Sequence, residues 1–497
     1  MKIIIIARLK TVIVIIMKLI IKLAPELTIK SKPVRKRFIQ QLRQNLKIIC
    51  QRVDPGVQVS GQWDNIQLET SENLVYDGKQ QLIELIKCTP GISHFFEAQE
   101  YPMLTMDDIL EKALPVFAPQ LDGKTFCLRV KRVGNHDFTS IEVERYVGGG
   151  LNQNSNATGV SVSNPDVTVK IEIRHNIFFL VEQRHEGQGG FPIGSQDTTV
   201  TLMSGGFDST VAAYLMMKRG IRTHFLFFNL GGQTHEVGVK QVTKFIWDKF
   251  GSSHRVRFIS VPFDPLVQEI LTKVENSQMG VVLKRIMYRA AERVADQLGL
   301  DSFVTGEAIA QVSSQTMANL NVIDQVTDKM VLRPLIVTDK LDIINMARDI
   351  GTAPFAEVMP EFCGVISNKP TTRAKIDRIE QEESKIDWQI FEDALDSAEI
   401  INIDKVTDQQ VSEIAWVSEI GESSVVIDVR HPDEIDLKAC PVSDETLEIP
   451  FYSVRSKFSD LDQNKNYILY CDKGVMSQMQ AQYLKADGFK NVFVWKN

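Results

Sequence analysis

Apolar and polar residues alternate along the first part of the chain in a pattern that predicts a small α/β unit. A strand is expected at 18–23, a turn at 25–31, a helix at 33–49 and a second strand at 62–68. The predicted helix repeats apolar residues at helical spacing on one face: Phe38, Ile39, Leu42 and Leu46. We therefore expect this helix to pack its apolar face on the strands.

Residues 77–181 continue this mixed pattern of short apolar segments. Helices are predicted at 80–86 and 106–117, and strands at 125–132, 142–147, 168–173 and 176–183. The stretch 148–164 is rich in Gly, Asn and Ser and is expected to be a flexible loop. A hinge is expected after it, at the glycines Gly187, Gly189, Gly190 and Gly194.

From residue 199 onward, short apolar runs alternate with amphipathic helical stretches. Strands are predicted at 199–203, 223–229, 256–261 and 302–305, and helices at 237–250, 268–273 and 284–298. Such alternation is typical of a parallel sheet, whose ligands lie beyond the carboxyl ends of the strands. The acid-rich stretch 375–400 predicts one helix leading into a linker, and the last ninety or so residues read as a separate strand–helix domain.

Length and cysteine content suggest several domains in a reducing compartment. The chain has 497 residues, of which 43% are hydrophobic, so about three to four domains are expected. Its six cysteines include no C-x-x-C pair, which argues against a disulfide scaffold and a structural zinc site. We therefore expect the protein to work in the cytoplasm.

Positive charge is concentrated near the N-terminus. Residues 1–52 contain 13 Lys or Arg and one acidic residue, Glu26, although the whole chain has a net charge of −7. A basic segment on an acidic body predicts a nucleic-acid partner, and a solvated basic face is the alternative interpretation. Residues 77–181 hold 10 Lys or Arg against 13 acidic residues, so charge alone does not predict RNA binding there.

The first sixteen residues are very apolar, but Lys2, Arg8 and Lys10 interrupt them. The longest uncharged run, 11–17, is too short to span a membrane, and no cleavage site of a secretory signal follows it. We expect no membrane association. Because Met17 is a second plausible start, residues 1–16 are interpreted as an N-terminal extension.

The clearest chemical signal is the hexapeptide S-G-G-F-D-S at 204–209, which lies between a predicted strand and a predicted helix. Such a turn directs backbone N–H groups and a helix N-terminus at one point, which is a site for phosphate. Its two glycines let the backbone approach an anion closely. The spacing is not that of a Walker A loop. A turn that merely connects strand to helix is the alternative interpretation.

This hexapeptide resembles the PP-loop of the ATP pyrophosphatases, which split ATP between the α and β phosphates and place AMP on an oxygen that must leave. Other stretches resemble segments of bacterial tRNA 4-thiouridine synthetases: KLIIKLAPELTIKSKPVRKRFI, FCLRVKRVGNHDFTS and LKRIMYRAAERVADQLGLDSFVTGEAIAQVSSQTMANLNVID. The motif C-x-x-G-x-x-S at 471–477 resembles the active-site loop of rhodanese domains. The resemblance to this family covers residues 17–497.

The resemblance implies an α/β multidomain fold. After the extension 1–16, it implies a ferredoxin-like domain at 17–76 and a THUMP α/β domain, which binds tRNA, at 77–181. A PP-loop adenylation domain follows at 182–395, with a parallel sheet and helices on both faces. A linker at 396–404 then leads to a rhodanese α/β domain at 405–497.

The resemblance also implies a site for ATP and Mg²⁺ around the PP-loop. The implied nucleotide-binding residues are Leu202, Met203, Ser204, Gly205, Gly206, Asp208, Ser209, Lys284, Gly306 and Gln315. Asp208 and Lys340 are the implied catalytic residues at this site, and Arg333 and Asp339 match family positions nearby. Plain core positions for Leu202 and Met203, and a surface position for Lys284, are the alternatives.

For RNA binding and sulfur transfer the resemblance implies two further sets of residues. Arg129, Lys131, Arg132 and His136 are the candidates for contact with tRNA phosphates, and an exposed strand face is the alternative for the first two. Cys471 is the implied persulfide, on a loop whose N–H groups are expected to lower the thiol pKa, and a buried inert cysteine is the alternative. Cys363 is the implied disulfide partner of Cys471.

The function implied by the family is a two-stage sulfur transfer to tRNA. ATP adenylates O4 of uridine-8, and the persulfide, loaded by a cysteine desulfurase, then delivers sulfur to C4 and gives 4-thiouridine. Family members also donate sulfur to the sulfur carrier protein of thiamine synthesis. Two alternatives are a different PP-loop ligase or amidotransferase, although no glutaminase-like segment is evident, and a non-catalytic tRNA-binding protein with a sulfur-carrier tail. The intact 204–209 and Cys471 motifs argue against the last.

Overall fold

A computed structural model describes residues 17–62, 65–72, 74, 76–230, 232–359, 367, 369–406, 415–421, 423–430, 432–443, 445–472 and 474–496. The chain divides into two compact units. The first contains the described residues up to 195 together with 218–220, and the second contains 196–217 and the described residues from 221 onward. None of the helices in these ranges is long and apolar enough to span a membrane.

The first unit is built on one eight-stranded sheet with the strand order β2-β3-β1-β4-β8-β7-β5-β6. The strands are β1 Lys18–Leu23, β2 Gln58–Gln62, β3 Asn65–Glu69, β4 Ile92–Pro102, β5 Thr125–Val133, β6 Gly159–Val160, β7 Val167–Arg174 and β8 Ile177–Gly189. The helices are α1 Pro25–Thr28, α2 Lys32–Cys50, α3 Tyr76–Lys87, α4 Met106–Phe117 and α5 Ser140–Gln153. Because β4 pairs with both β1 and β8, the stretches predicted as the domains 17–76 and 77–181 share this sheet.

The predicted strand at 142–147 is wrong, because this stretch belongs to helix α5. A capping box starts the helix: the Glu142 backbone N–H donates to Thr139 Oγ1 at 3.2 Å, and the Thr139 N–H donates to the Glu142 carboxylate at 2.6 Å. Val143, Val147 and Leu151 are buried at helical spacing. The helix also takes in the first residues of the predicted flexible loop 148–164.

Three smaller predictions in the first unit need correction. The predicted turn at 25–31 begins with the short helix α1, and the single strand expected at 62–68 is a β2–β3 hairpin. The glycines at 187 and 189, expected in a hinge, lie inside strand β8, which pairs with β4 as far as Gly189. The predicted helix at 33–49 is confirmed as α2, and Phe38, Ile39, Leu42 and Leu46 are buried as expected.

One face of the sheet packs on the helices, and the other carries a small apolar cluster beneath an ion-pair network. Ile20 and Phe96 are buried in this cluster. Lys22 Nζ donates to the Glu172 carboxylate at 2.9 Å, and Arg174 Nη2 donates to the same carboxylate at 3.1 Å. This network connects β1 with β7, so it ties the two halves of the sheet together.

The second unit contains a six-stranded sheet of order β13-β12-β9-β10-β11-β14 and a five-stranded parallel sheet of order β15-β19-β18-β16-β17. The strands are β9 Thr199–Met203, β10 Thr223–Asn229, β11 Arg257–Pro262, β12 Ser302–Val304, β13 Met330–Leu332, β14 Glu399–Asn402, β15 Trp416–Val417, β16 Ser424–Asp428, β17 Thr446–Glu448, β18 Asn466–Tyr470 and β19 Val492–Trp495. The helices are α6 Phe207–Lys218, α7 Gly232–Ile246, α8 Asp264–Lys273, α9 Met279–Leu298, α10 Met317–Asp324, α11 Lys340–Ile350, α12 Ala353–Val358, α13 Ile376–Glu383, α14 Trp388–Asp396, α15 Pro432–Leu437, α16 Phe451–Lys457 and α17 Val475–Ala486.

The six-stranded sheet is parallel except at one edge. Strand β9 pairs with β10 on one side and with β12 on the other, so the strand order reverses at the carboxyl end of β9. Ligands of open α/β sheets bind at such a reversal point.

The acid-rich stretch 375–400 was expected to form one helix, but it forms α13 and α14 and ends in β14. Strand β14 pairs antiparallel with β11, so the predicted linker 396–404 contains the edge strand of the six-stranded sheet.

The two sheets of the second unit share one apolar core, which includes Leu230 and Phe263 from the first sheet region and Phe451 and Leu484 from the second.

Candidate active site

The turn after β9 has the geometry of an anion site. Gly205 adopts a φ of 82°, and a Cβ atom there would lie 2.7 Å from Met359 Cε, so a glycine is required. The Ser204 backbone N–H donates to Ser209 Oγ at 3.2 Å, and the two hydroxyls lie 3.1 Å apart. Helix α6 then runs for 12 residues from Phe207. The turn therefore presents the N-terminus of a three-turn helix at the reversal point of the sheet.

Asp208 and Lys340, both predicted from the sequence, lie in direct contact beside this turn. Lys340 Nζ, on the first residue of α11, is 2.9 Å from both carboxylate oxygens of Asp208. Gln311 Nε2 donates to the same carboxylate at 2.8 Å. Gln311 is not predicted from the sequence, although it lies in the same motif as Gly306 and Gln315. Lys340 and Gln311 together fix the orientation of the Asp208 carboxylate.

The loop after β12 packs directly on the PP-loop. A Cβ atom at Gly306 would lie 2.7 Å from the Asp208 carbonyl carbon and 2.8 Å from the Ser209 nitrogen, so a larger residue there would displace the turn. Gln315, expected to offer its amide to the nucleotide, is buried. Its Oε1 accepts a hydrogen bond from the Ala308 N–H at 3.3 Å. The Gln315 amide oxygen therefore shapes the loop.

A buried carboxylate next to Gly306 organises the cationic residues of the site. Glu307 accepts hydrogen bonds from the Tyr288 hydroxyl at 2.6 Å, Thr305 Oγ1 at 3.0 Å and Arg333 Nε at 2.9 Å. Lys284 Nζ lies 3.6 Å from its other oxygen. Burial alone would raise the pKa of Glu307, but the charges of Lys284 and Arg333 and the hydrogen bonds outweigh burial, so this pKa lies below its ordinary value.

Lys284 and Arg333 are predicted from the sequence, whereas Glu307 and Tyr288 are not. The available signal was an acidic residue directly after a glycine at the end of a predicted strand. Nothing in the local sequence shows that this carboxylate is buried, because its partners come from α9 and from the segment after β13.

Leu202 and Met203 end strand β9, where Met203 is buried and Leu202 is half-buried against the core.

Beneath the turn, His235 Nε2–H of α7 donates to the Ser204 carbonyl at 3.1 Å. Burial lowers the pKa of His235 to about 4, so the imidazole is neutral at pH 7. This buried donor links α7 to the turn and was not predicted.

Cys471 follows β18 at a second helix N-terminus. Gly474, with a φ of 72°, is the residue before α17. The Ser477 backbone N–H donates to Cys471 Sγ at 3.4 Å, and Ser477 Oγ lies 3.4 Å from the same sulfur. The thiol is only 5% exposed. The loop thus places a sulfur atom beside donors at the positive end of a 12-residue helix.

Charged side chains flank this cysteine loop. Arg430 is buried and bonded to Asp428 at 2.6–3.1 Å. Asp472 accepts a hydrogen bond from the Tyr470 hydroxyl at 2.7 Å and lies 3.3 Å from Lys438 Nζ. The Tyr470 hydrogen bond is the main reason that the pKa of Asp472 is lowered. The C-x-x-G-x-x-S motif does not predict this arrangement.

Cys363 lies in 360–366, outside the described residues, so its predicted pairing with Cys471 stays a prediction. The N-terminal extension 1–16 also lies outside them.

The four candidates for tRNA contact separate into two pairs on and after β5. Arg129 and Lys131 are exposed and lie two residues apart, on one face of the strand. Arg129 Nη2 donates to the Val162 carbonyl at 3.0 Å. Arg132 and His136 are half-buried. Arg132 Nη1 donates to His136 Nδ1 at 3.1 Å, and His136 Nε2–H donates to the His175 carbonyl at 2.7 Å. The first pair is therefore the more accessible to a phosphate.

Four family models match the chain in order. They are described as ThiI ferredoxin-like domain over residues 18–95, THUMP domain over 104–181, Thiamine biosynthesis protein (ThiI) over 194–388, and Rhodanese-like domain over 414–497. These four domains, in this order, agree with the predicted fold class, an α/β multidomain protein whose parallel sheets are flanked by helices.

Curated relatives match this chain along almost its whole length. The chain is 50% identical over 484 residues to a tRNA sulfurtransferase of Tolumonas auensis and 53% identical over 487 residues to one of Azotobacter vinelandii, covering 97% of this chain and 100% of each relative. Among solved structures, it is similar to the crystal structure of a 4-thiouridine synthetase–RNA complex with bound ATP. The TM-score is 0.67 at 27% identity, covering 78% of this chain and 100% of that chain.

Proposed function

The chain belongs to the ThiI family of tRNA sulfurtransferases, and from this premise we propose that it converts uridine-8 of tRNA to 4-thiouridine at the expense of ATP. One observation carries the proposal. A single compact unit holds both an anion turn with the Asp208–Lys340 pair and a cysteine sulfur at a helix N-terminus. The first suits activation of an oxygen by ATP, and the second suits storage of an anionic sulfur.

In the first stage, the uridine O4 attacks the α-phosphorus of ATP, and the bond to the β-phosphate breaks. Pyrophosphate leaves with the electron pair of that bond, and AMP remains on O4. The N–H groups of the 204–209 turn stabilise the charge that grows on the departing phosphates. Lys340 supplies a positive charge at the same point, held there by the Asp208 carboxylate at 2.9 Å.

Mg²⁺ is part of the proposal because ATP carries it into such sites. Among the described residues no three His, Cys, Asp or Glu side chains are grouped to hold a metal ion. A phosphate-bound Mg²⁺ needs only one or two protein carboxylates, and Asp208 fits that role beside the turn. The ion would neutralise phosphate charge, while Asp208 and the turn orient the nucleotide.

In the second stage, the terminal sulfur of a Cys471 persulfide attacks C4 of the adenylated uridine, and AMP leaves. The new C–S bond joins the tRNA to Cys471 through a disulfide. A Cys363 thiolate then attacks Cys471 Sγ, the thiouridine sulfur departs with the electron pair, and a Cys363–Cys471 disulfide remains. Release of free hydrosulfide by Cys363 before the attack on C4 is the alternative order. A cysteine desulfurase is the proposed source of the persulfide.

The first unit provides the proposed tRNA surface through Arg129 and Lys131 on β5. We further propose that the protein works in the cytoplasm and that Cys471 also donates sulfur to the sulfur carrier protein of thiamine synthesis. This second role needs only the rhodanese loop and leaves the PP-loop unused.

The test is reconstitution with the purified full chain, unmodified tRNA, ATP and a cysteine desulfurase with cysteine. Nucleosides from the digested tRNA are analysed by mass spectrometry, and AMP is measured in parallel. We expect 4-thiouridine that requires both ATP and Cys471. AMP formation with another modified nucleoside would indicate a different PP-loop enzyme, and tRNA binding without AMP would indicate a non-catalytic protein.

A further inference from the structure

A tyrosine of the cysteine-bearing domain contacts the six-stranded sheet at the carboxyl ends of β10 and β11. Tyr483 lies on α17 and is 8% exposed. Its hydroxyl lies 3.2 Å from the Leu230 carbonyl oxygen and contacts the carboxylate of Asp264, the first residue of α8. The Gly232 backbone N–H also contacts this hydroxyl. One side chain of the second sheet region therefore contacts three separate points of the first.

The contact is built to accept an aromatic ring. Gly232 has a φ of 71°, and a Cβ atom there would lie 2.7 Å from Tyr483 Cε1. The Arg455 guanidinium carbon lies 5.1 Å from the centroid of the same ring. Arg455 is in turn fixed by two hydrogen bonds of 2.7 and 2.8 Å to Asp487. The ring is therefore contacted by a glycine from the first sheet region and by an arginine, held by Asp487, from the second.

Asp264 is poorly solvated at this contact. Burial raises the pKa of Asp264, while the hydrogen bond to Tyr483 and the charge of Arg455 act in the opposite direction. A carboxylate in that position would be left with a weakened hydrogen-bond set if the tyrosine hydroxyl were removed.

Two helices connect this contact with the two reactive loops. Helix α7 begins at Gly232, and its His235 donates to the Ser204 carbonyl of the PP-loop. Helix α17 carries Tyr483, and its first turn holds Ser477, whose N–H donates to Cys471 Sγ. The Tyr483 contact is thus the point where the helix under the PP-loop meets the helix behind the cysteine.

We propose that Tyr483, with Asp264 and Gly232 as its receptor, docks the rhodanese domain on the nucleotide-binding edge of the PP-loop sheet and positions Cys471 for sulfur delivery. This inference rests on the proposed function, because it assigns the docking to the transfer step. Tyr483 is a positioning residue, since it acts on Cys471 through helix α17. Its loss leaves Cys471 tethered by the chain but poorly oriented.

The test compares Tyr483→Phe with Tyr467→Phe in the full chain. Both changes remove one hydroxyl, but the Tyr467 hydroxyl donates to the Asp462 carbonyl at 3.1 Å within the rhodanese domain. Each protein is loaded with persulfide by a cysteine desulfurase and mixed with tRNA and ATP for a single turnover. Formation of pyrophosphate, loss of persulfide and formation of 4-thiouridine are followed separately.

We expect Tyr483→Phe to release pyrophosphate from ATP and to accept persulfide at the wild-type rate, but to transfer sulfur, and with it to release AMP, about tenfold more slowly. Tyr467→Phe should transfer at the wild-type rate. Millimolar hydrosulfide, which attacks C4 directly and expels AMP, should restore thiolation in Tyr483→Phe. Hydrogen exchange should accelerate in 232–236 and 476–484 in Tyr483→Phe alone, which reports undocking independently of activity.

A second variant, Gly232→Ala, attacks the same contact from the other side. The Gly232→Ala/Tyr483→Phe double variant should be no slower than the slower single variant, because both changes break one interface. Equal transfer rates and equal exchange in Tyr483→Phe and Tyr467→Phe would overturn the docking. If instead the wild type releases no pyrophosphate from ATP with tRNA, the proposed function fails and the exchange data still decide the docking.

Discussion

Two carboxylates at the nucleotide end of the six-stranded sheet differ in their burial. The side chain of Asp208 is 23% exposed and faces a Lys340 that is 38% exposed, whereas the side chain of Glu307 is 3% exposed. An ion pair in contact with water contributes little to stability and is free to exchange its partner for a phosphate. A buried carboxylate with three hydrogen-bond donors is fixed in place. We therefore propose that Asp208 takes part in the reaction. Glu307 instead holds Lys284 and Arg333 in position.

The Asp208→Ala variant should lose tRNA-dependent AMP formation by at least about a hundredfold, since one removed group of an oriented charged site costs about that much. Affinity for tRNA should be unchanged, because Asp208 lies in the second unit and the proposed tRNA surface lies in the first. AMP release and filter binding measure the two quantities. The control is Asp349→Ala, an exposed aspartate of α11. Normal AMP release in Asp208→Ala would remove this residue from the site.

The Glu307→Gln variant should be less stable by about 3 kcal/mol, because it leaves Arg333 and Lys284 without their buried counter-charge. The folded-state pKa of Glu307 is depressed, so the charge contributes stability above the unfolded pKa. That contribution is lost as the pH falls through the lower folded pKa. The difference between variant and wild type should therefore shrink in acid. Urea unfolding at pH 7 and in acid measures it.

Glu392→Gln is the matched control for this prediction. Glu392 pairs with Arg293 on the surface, with side chains 43% and 49% exposed. Its replacement should cost less than about 1 kcal/mol and should respond to salt. Similar losses of stability in both variants would show that burial does not distinguish the two carboxylates.

At the scale of single elements, dense apolar runs and the helix at 106–117 were predicted well, whereas helix α5 was not. The predicted strands 199–203 and 223–229 coincide with β9 and β10, which are buried almost throughout. Helix α5 was mistaken for a strand because its Ile, Val and Tyr residues are typical of strands. The Thr139–Glu142 capping box, three residues apart in the sequence, was the signal that would have corrected it.

The candidate site shows the same division between local and tertiary information. Family motifs named Asp208 and Lys340, and the structure brings their side chains together across 132 residues of sequence. Glu307 and Gln311 were missed because their importance comes from partners on other elements. Buried polar groups acquire their partners only when the chain folds.

On β5, the Arg129→Gln and Lys131→Gln variants should weaken tRNA binding and reduce the slope of log K against log salt by about one each, if each neutralises one phosphate. Both residues are exposed on the same face of the strand. Binding of tRNA to the full chain at several salt concentrations measures the slope. Lys112→Gln on α4 is the control, because this lysine is exposed and paired with Glu111. An unchanged slope in both β5 variants would exclude direct phosphate contact.

At the scale of the whole molecule, the predicted boundaries divide the chain more finely than its packing does. The ferredoxin-like and THUMP stretches share one sheet, and the PP-loop and rhodanese stretches share one apolar core. Sequence motifs identify domains by their ancestry, whereas shared sheets and cores arise from contacts between them. The chemistry proposed here requires such contacts, because ATP and the persulfide must act on the same uridine.

In the proposed chemistry, the thiolated tRNA must be released from Cys471 after sulfur transfer. Once the persulfide sulfur has joined C4, the bond between it and Cys471 Sγ must be broken, and a second thiol achieves this by forming a disulfide with Cys471. The sequence resemblance implies that Cys363 is this second thiol, and we propose it for that role. We expect one Cys363–Cys471 disulfide per turnover, which requires their α-carbons to come within about 7 Å. A dithiol reductant then supplies the two electrons that restore both thiols.

Single-turnover thiolation without reductant, followed by peptide mapping, tests this scheme. The disulfide should appear in the same amount as 4-thiouridine, and addition of a dithiol should permit further turnovers. Cys363→Ala should stop after about one turnover, since the tRNA stays attached to Cys471. Cys440→Ala is the control, because Cys440 lies in the same domain as Cys471 and is a free, partly buried thiol. Recovery of Cys363 as a free thiol after full product formation, or full multiple turnover by Cys363→Ala, would rule the scheme out.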